Sequence, residues 1–181
     1  MRLAVYLICL SVSEVIWASD YSTQVKNIAI ESAVDSYNLD ANIVYSLSPV
    51  AKEALQKGIP LTWDVLIKVK QEGLLWDRTL DELVLNFQLQ SHALLNLYSI
   101  KSVSTGRQDM FSTFAGALDY MSIIRDLPII NKALISPDQL YYVVVKVKFD
   151  HESLPVPIRP FSYFDQQWAL SSSAKLCPIK N

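Results

Sequence analysis

Hydrophobic residues in this chain fall mostly at every second position. In Leu61-Thr62-Trp63-Asp64-Val65-Leu66-Ile67-Lys68-Val69-Lys70 the odd positions are Leu, Trp, Val, Ile and Val, and the even ones are mostly polar. A period of two with one wet face predicts an antiparallel strand packed on one side. The pattern recurs at Leu83, Leu85, Phe87 and Leu89 against Glu82, Asn86, Gln88 and Gln90, and at Tyr141, Val143, Val145, Val147 and Phe149 against Lys146, Lys148 and Asp150. Two earlier runs, about 25–33 and 39–47, flank Asp35-Ser36-Tyr37-Asn38, which predicts a hairpin turn. Apolar residues lie on both faces of the run from Ala93 to about Val103: Leu95 and Leu97 on one, Leu94, Tyr98 and Ile100 on the other. That predicts a central strand.

Two segments switch to a helical period. Ser48-Pro49 supplies an N-cap and a proline for the first turn, Val50, Ala51, Ala54 and Leu55 form a stripe, and Gly58 stands where a C-terminal glycine belongs. A second helix is expected from near Ser112, carrying Phe114, Ala117, Leu118, Met121 and Ile124 and stopping before Pro128. Strands that do not alternate with helices do not build a parallel sheet. The expectation is a mainly β fold, an antiparallel β-sandwich of immunoglobulin-like type with two short helices in its connections.

The first residues read differently. Met1-Arg2 is followed by an apolar run, Leu3 to Val12, then a polar stretch, Ile16-Trp17-Ala18 and the polar Ser19-Asp20. This is the pattern of an export signal, too short to stay as a membrane span. Residues 1–18 are therefore expected to be a signal peptide, with 19–181 forming one sandwich domain in the periplasm. Removing 18 of 181 residues leaves 163, takes away one positive and one negative charge, and keeps the net charge at −2. Of two cysteines only Cys177 would remain, so the domain must be held by its core rather than by a disulfide. At 51% hydrophobic and 19% charged residues the chain is neither a disordered segment nor a basic nucleic-acid binder.

Catalytic patterns are sparse. His92 and His151 are far apart and form no short-spaced zinc pair, and the four glycines make neither a phosphate-cradling loop nor a dinucleotide fingerprint, so no metal or cofactor is expected. His92 is the weak candidate for chemistry, since a β-bulge after Leu89 would aim it into a groove. The segment Leu154-Pro155-Val156-Pro157-Ile158-Arg159-Pro160-Phe161-Ser162-Tyr163-Phe164 is more distinctive. Its prolines predict an extended, polyproline-like course. Pro155, Pro157, Arg159, Phe161, Tyr163 and Trp168 are the candidate partner-binding residues, because rigid groups lose little entropy on docking. The competing assignment is a structural wrap with its aromatics buried.

An ordered series of short motifs adds to this reading: Gly58-Ile59-Pro60-Leu61, Trp76-Asp77, His92-Ala93-Leu94, Tyr98, Ala117-Leu118, Leu127-Pro128, the Leu154 to Pro160 run and Trp168-Ala169-Leu170-Ser171-Ser172. In this the chain resembles a family of short exported proteins of Gram-negative bacteria, a domain of unknown function (4390) also labelled proline-rich signal peptide proteins. The resemblance implies export and no reaction. It also implies a partner in the envelope, such as a membrane sensor kinase, and hence a non-enzymatic binding or accessory module. Two other classes stay open at this point: a small-molecule or lipid carrier, and an envelope hydrolase using His92.

Overall fold

The computed structural model describes residues 21–180; the expected export signal at 1–18 lies outside them. The described residues fold as β1 (Thr23–Ser32), β2 (Ser36–Tyr45), α1 (Pro49–Gln56), β3 (Leu61–Gln71), β4 (Arg78–His92), β5 (Leu97–Ser102), β6 (Gln108–Phe111), α2 (Phe114–Ser122), β7 (Ile123–Asn131), β8 (Tyr141–Phe149), α3 (Arg159–Ser162) and β9 (Lys175–Ile179). Every pairing is antiparallel. One sheet has the order β1-β2-β7 and the other β6-β5-β4-β3-β8-β9.

The alternation in β2, β3 and β8 sets the packing. Leu39, Ala41 and Ile43 from the smaller sheet meet Leu61, Trp63, Val65, Ile67, Val143, Val145, Val147 and Phe149 from the larger one in a single core. Trp63 is completely buried, with its ring edge-on to Tyr45 at 5.5 Å and to Phe149 at 5.3 Å. Its indole N–H donates to the Leu170 carbonyl (3.2 Å), which also accepts from the Thr23 hydroxyl (2.6 Å).

Strands 1-2-7 in one sheet and 5-4-3-8-9 in the other follow the variable-type immunoglobulin order, with a buried tryptophan on the third strand. β6 extends the larger sheet instead of crossing to the smaller one. Tyr141, at the start of β8, accepts the backbone N–H of Ser136 on its hydroxyl (3.1 Å), a tyrosine corner. Val143, two residues on, is fully buried where that fold places its second cysteine.

Several local expectations are corrected. No central strand covers 93–103: β4 runs on to His92, the chain turns with Asn96 at φ 50°, and β5 starts at Leu97. Leu94 and Leu95 lie on that turn at 102% and 64% exposure, so their hydrophobicity carried no information about burial. The second helix ends at Ser122. Ile123 and Ile124, β-branched and beside the open edge of β2, join β7 instead, with Ile124 opposite Ala41. Pro128 sits inside β7 because that strand is at a sheet edge, where a missing donor is tolerated; the register shifts between Tyr37 and Asn38 beside it. The first hairpin turns at 33–35, as Tyr37 already pairs with Ser32. A third short helix, α3, lies in the proline segment, and the short strands β6 and β9 were not expected.

β9 covers only the first half of β8, from Tyr141 to Val145. Beyond it the serine tract takes over: Ser172 Oγ accepts the Val147 N–H (2.8 Å), Ser171 Oγ accepts the Phe149 N–H (2.9 Å), and the Ser172 N–H donates to the Val147 carbonyl (2.8 Å).

Trp63→Ala removes the ring at the centre of the core and, with it, the buried indole hydrogen bond to the Leu170 carbonyl. It is expected to destabilise the fold by about 3–5 kcal/mol, read as a lowered midpoint in denaturant unfolding followed by circular dichroism.

Candidate functional site

The pairing of Leu61 with Leu89 and of Trp63 with Phe149 puts the start of β3 and the ends of β4 and β8 at one end of the sandwich. Three connections meet there: the β2–β3 connection with α1, the β4–β5 turn, and the long β8–β9 connection, 150–174. The sequence-predicted partner residues all belong to the last of these.

That connection is not an extended polyproline course. The Pro155 carbonyl accepts from the N–H groups of Ile158 (2.9 Å) and Arg159 (3.1 Å), forming a turn that leads into α3, whose first turn holds Pro160. A proline needs no donor in the first turn of a helix, so the prolines punctuate a turn and a helix start. Arg159 holds the turn closed. Its guanidinium donates twice to the Leu154 carbonyl (3.2 and 3.0 Å) and reaches Glu152 at 3.3 Å, which makes it an internal brace.

The candidate residues divide by burial. Pro155 and Pro157 are exposed on the turn. Phe161 is 72% exposed and Tyr163 54%, and Phe164, part of the same aromatic run though not one of the six candidates, is 89% exposed. Trp168 is 3% exposed and stacks on Phe149 at 5.9 Å, so for this residue the structural assignment holds. From the core outward the rings form a continuous series: Trp63, Phe149, His151 (5.0 Å from Phe149), then Tyr163 (4.7 Å from His151, nearly parallel). The Tyr163 hydroxyl donates to Glu152, which raises its pKa.

Between this connection and α1 lies an open groove of about 340 Å³. Val50, Ala54, Ile59, Ile158, Phe161 and Trp168 give it an apolar lining, and Glu53, Lys57 and Asp165 give it a charged rim. α1 is fixed against it by the buried Ser48, whose hydroxyl accepts the Ala51 N–H (3.0 Å), and by Gly58, which leaves the helix at φ 82°. Sequence reasoning identified α1 and its caps but not its part in the groove, because nothing local to 49–59 reports which distant segment will pack beside it.

Neither histidine is placed for nucleophilic chemistry. His92 is the last residue of a regularly paired strand end, with no bulge between β4 and β5, and its Nε2 lies 2.9 Å from Ser99 Oγ. His151 Nδ1 lies 2.9 Å from Ser162 Oγ. Both serines are only 2% exposed, out of reach of a substrate carbonyl. Ser162 donates its hydroxyl proton to the Arg159 carbonyl (2.8 Å), so His151 Nδ1 must be the donor to Ser162. No group of three or more metal-binding side chains occurs among the described residues.

Burial lowers the pKa of His151 below its ordinary 6.5, outweighing Asp150 and Glu152, which favour the charged form; Lys148 acts in the same direction as burial. A depressed folded-state pKa gives a stability contribution that is complete above about 6.5 and is lost as pH falls below it. Melting temperature is therefore expected to drop between about pH 7.5 and about pH 5.5, and His151→Asn should reduce that drop; an unchanged drop would show that the ring does not titrate against folding.

No curated protein and no solved structure matches the chain. A family model does match, over residues 20–176, which takes in β1 to β8, the first two residues of β9 and the whole groove. The chain belongs to the family described as Domain of unknown function (DUF4390).

Proposed function

We propose that this protein is a non-enzymatic binding module, exported to the periplasm, whose recognition surface is the end formed by α1 and the β8–β9 connection. The observation that carries this is the presence of solvent-exposed Phe161 and Phe164, on a connection fixed from within by Arg159 and the His151–Tyr163 stack, beside an apolar groove of about 340 Å³ shared with α1. Large rings displayed on a preorganised backbone contribute contact area at little entropic cost. The partner that suits the surface is a protein in the envelope, such as the periplasmic part of a membrane sensor kinase, presenting an apolar anchor to the groove and polar groups to Glu53, Lys57 and Asp165. The Leu154–Trp168 segment thus combines both assignments made from sequence: Trp168 and Arg159 hold it, and Phe161, Tyr163 and Phe164 are displayed.

Crosslinking capture from living cells tests the partner and the compartment together. Phe161→Ala with Phe164→Ala is expected to lower capture of the envelope partner by about tenfold or more while leaving the melting temperature nearly unchanged. Trp168→Ala is expected to act through stability, at about 3–5 kcal/mol. Undiminished capture by the double variant would reject this surface.

A further inference from the structure

The opposite end of the sandwich carries a feature that the groove does not account for. The β3–β4 hairpin ends in Leu74-Leu75-Trp76, at 101%, 79% and 82% exposure, three consecutive large apolar side chains at an apex. Leu140, at 70% exposure, lies at the base of the hairpin, where its carbonyl accepts the Glu72 N–H (2.9 Å).

The apex is built to hold this shape. A Cβ placed on Gly73 would stand 2.1 Å from the Trp76 carbonyl oxygen, so the chain closes on itself more tightly than any other residue allows. Asp77 accepts the Gly73 N–H on one carboxylate oxygen (3.3 Å) and the Tyr142 hydroxyl on the other, tying the apex to β8. The same bonds keep the Asp77 carboxyl below its usual range and push the Tyr142 hydroxyl up to about 12.

We infer that this apex inserts into a lipid layer. Trp76 at about 250 Å² and Leu74, Leu75 and Leu140 at about 150 Å² apiece offer about 700 Å², less than the roughly 800 Å² that each partner contributes to a stable protein interface. A second copy of the chain is therefore a poor cover. The surface is also convex, which suits a fluid acyl phase and not a rigid partner. An indole belongs at the boundary between acyl chains and headgroups, where its ring is buried and its N–H stays wet. Lys70 and Arg78 flank the apex together with Glu72 and Asp77, so the charges balance and the layer recognised is zwitterionic.

Trp76 itself reports on the question. Trp63 and Trp168 are buried, so the full-length chain carrying Trp17→Phe leaves Trp76 as the tryptophan whose emission responds to lipid. With phosphatidylcholine vesicles its emission is expected to shift to the blue and to be quenched by brominated acyl chains. Leu74→Ser with Leu75→Ser should lower vesicle partitioning about tenfold or more at unchanged melting temperature. Because residues 3–12 are present in both chains, the comparison isolates the apex. Emission that ignores vesicles, or partitioning equal in the two chains, overturns the inference. So does a blue shift that grows with protein concentration without lipid, which would give the apex to a second copy.

Discussion

One buried carbonyl, that of Leu170, accepts from the Trp63 indole and from the Thr23 hydroxyl. Through it the first strand of the smaller sheet, the central strand of the larger sheet and the end of the longest connection are joined at one point. All three residues are nearly or fully buried, so both donors would otherwise be desolvated without a partner, a loss of about 1–3 kcal/mol each. This constraint returns the 150–174 connection to the core and leaves its middle standing outside. Display of Phe161 and Phe164 follows from where the connection must begin and end.

Legibility of the sequence depended on how local the deciding interaction was. β3 and β8 were readable because each is paired on both sides and buried on one face, so that the pleat alone dictated Trp63, Val65, Ile67, Val143 and Val145 as core. α1 was readable because Ser48 and Gly58 act within one turn of the helix. Leu94 and Leu95 misled, since a turn set by Asn96 overrode the apolar pattern. The end of α2 misled for a different reason: Ile124 satisfies a helical stripe and a strand pairing equally well, and only the waiting edge of β2 decides between them.

In the candidate site, the segment singled out from sequence has a turn and a short helix where an extended course was expected. Counting prolines gave stiffness, but the turn depends on Arg159 reaching back to the Leu154 carbonyl, a contact that residue types alone do not specify. The division between Trp168 and Phe161 was equally hidden, being set by Phe149, which lies on the far side of a strand end. The two ends of the sandwich, about 30 Å apart along the nine residues of β8, present different chemistry. One offers a concave, charge-rimmed groove and the other a convex apolar apex, so occupation of one leaves the other free.

The serine tract at 171–172 has a consequence for the chain's behaviour in company. Where β9 stops short, the remaining N–H groups of β8 would form an open strand edge, the template on which a second polypeptide adds and sheets grow without limit. Ser171 and Ser172 fill those positions with side-chain oxygens, which accept a hydrogen bond but offer no ladder to extend. A short run of serines thus acts as a guard against self-association, placed beside the central strands of the larger sheet.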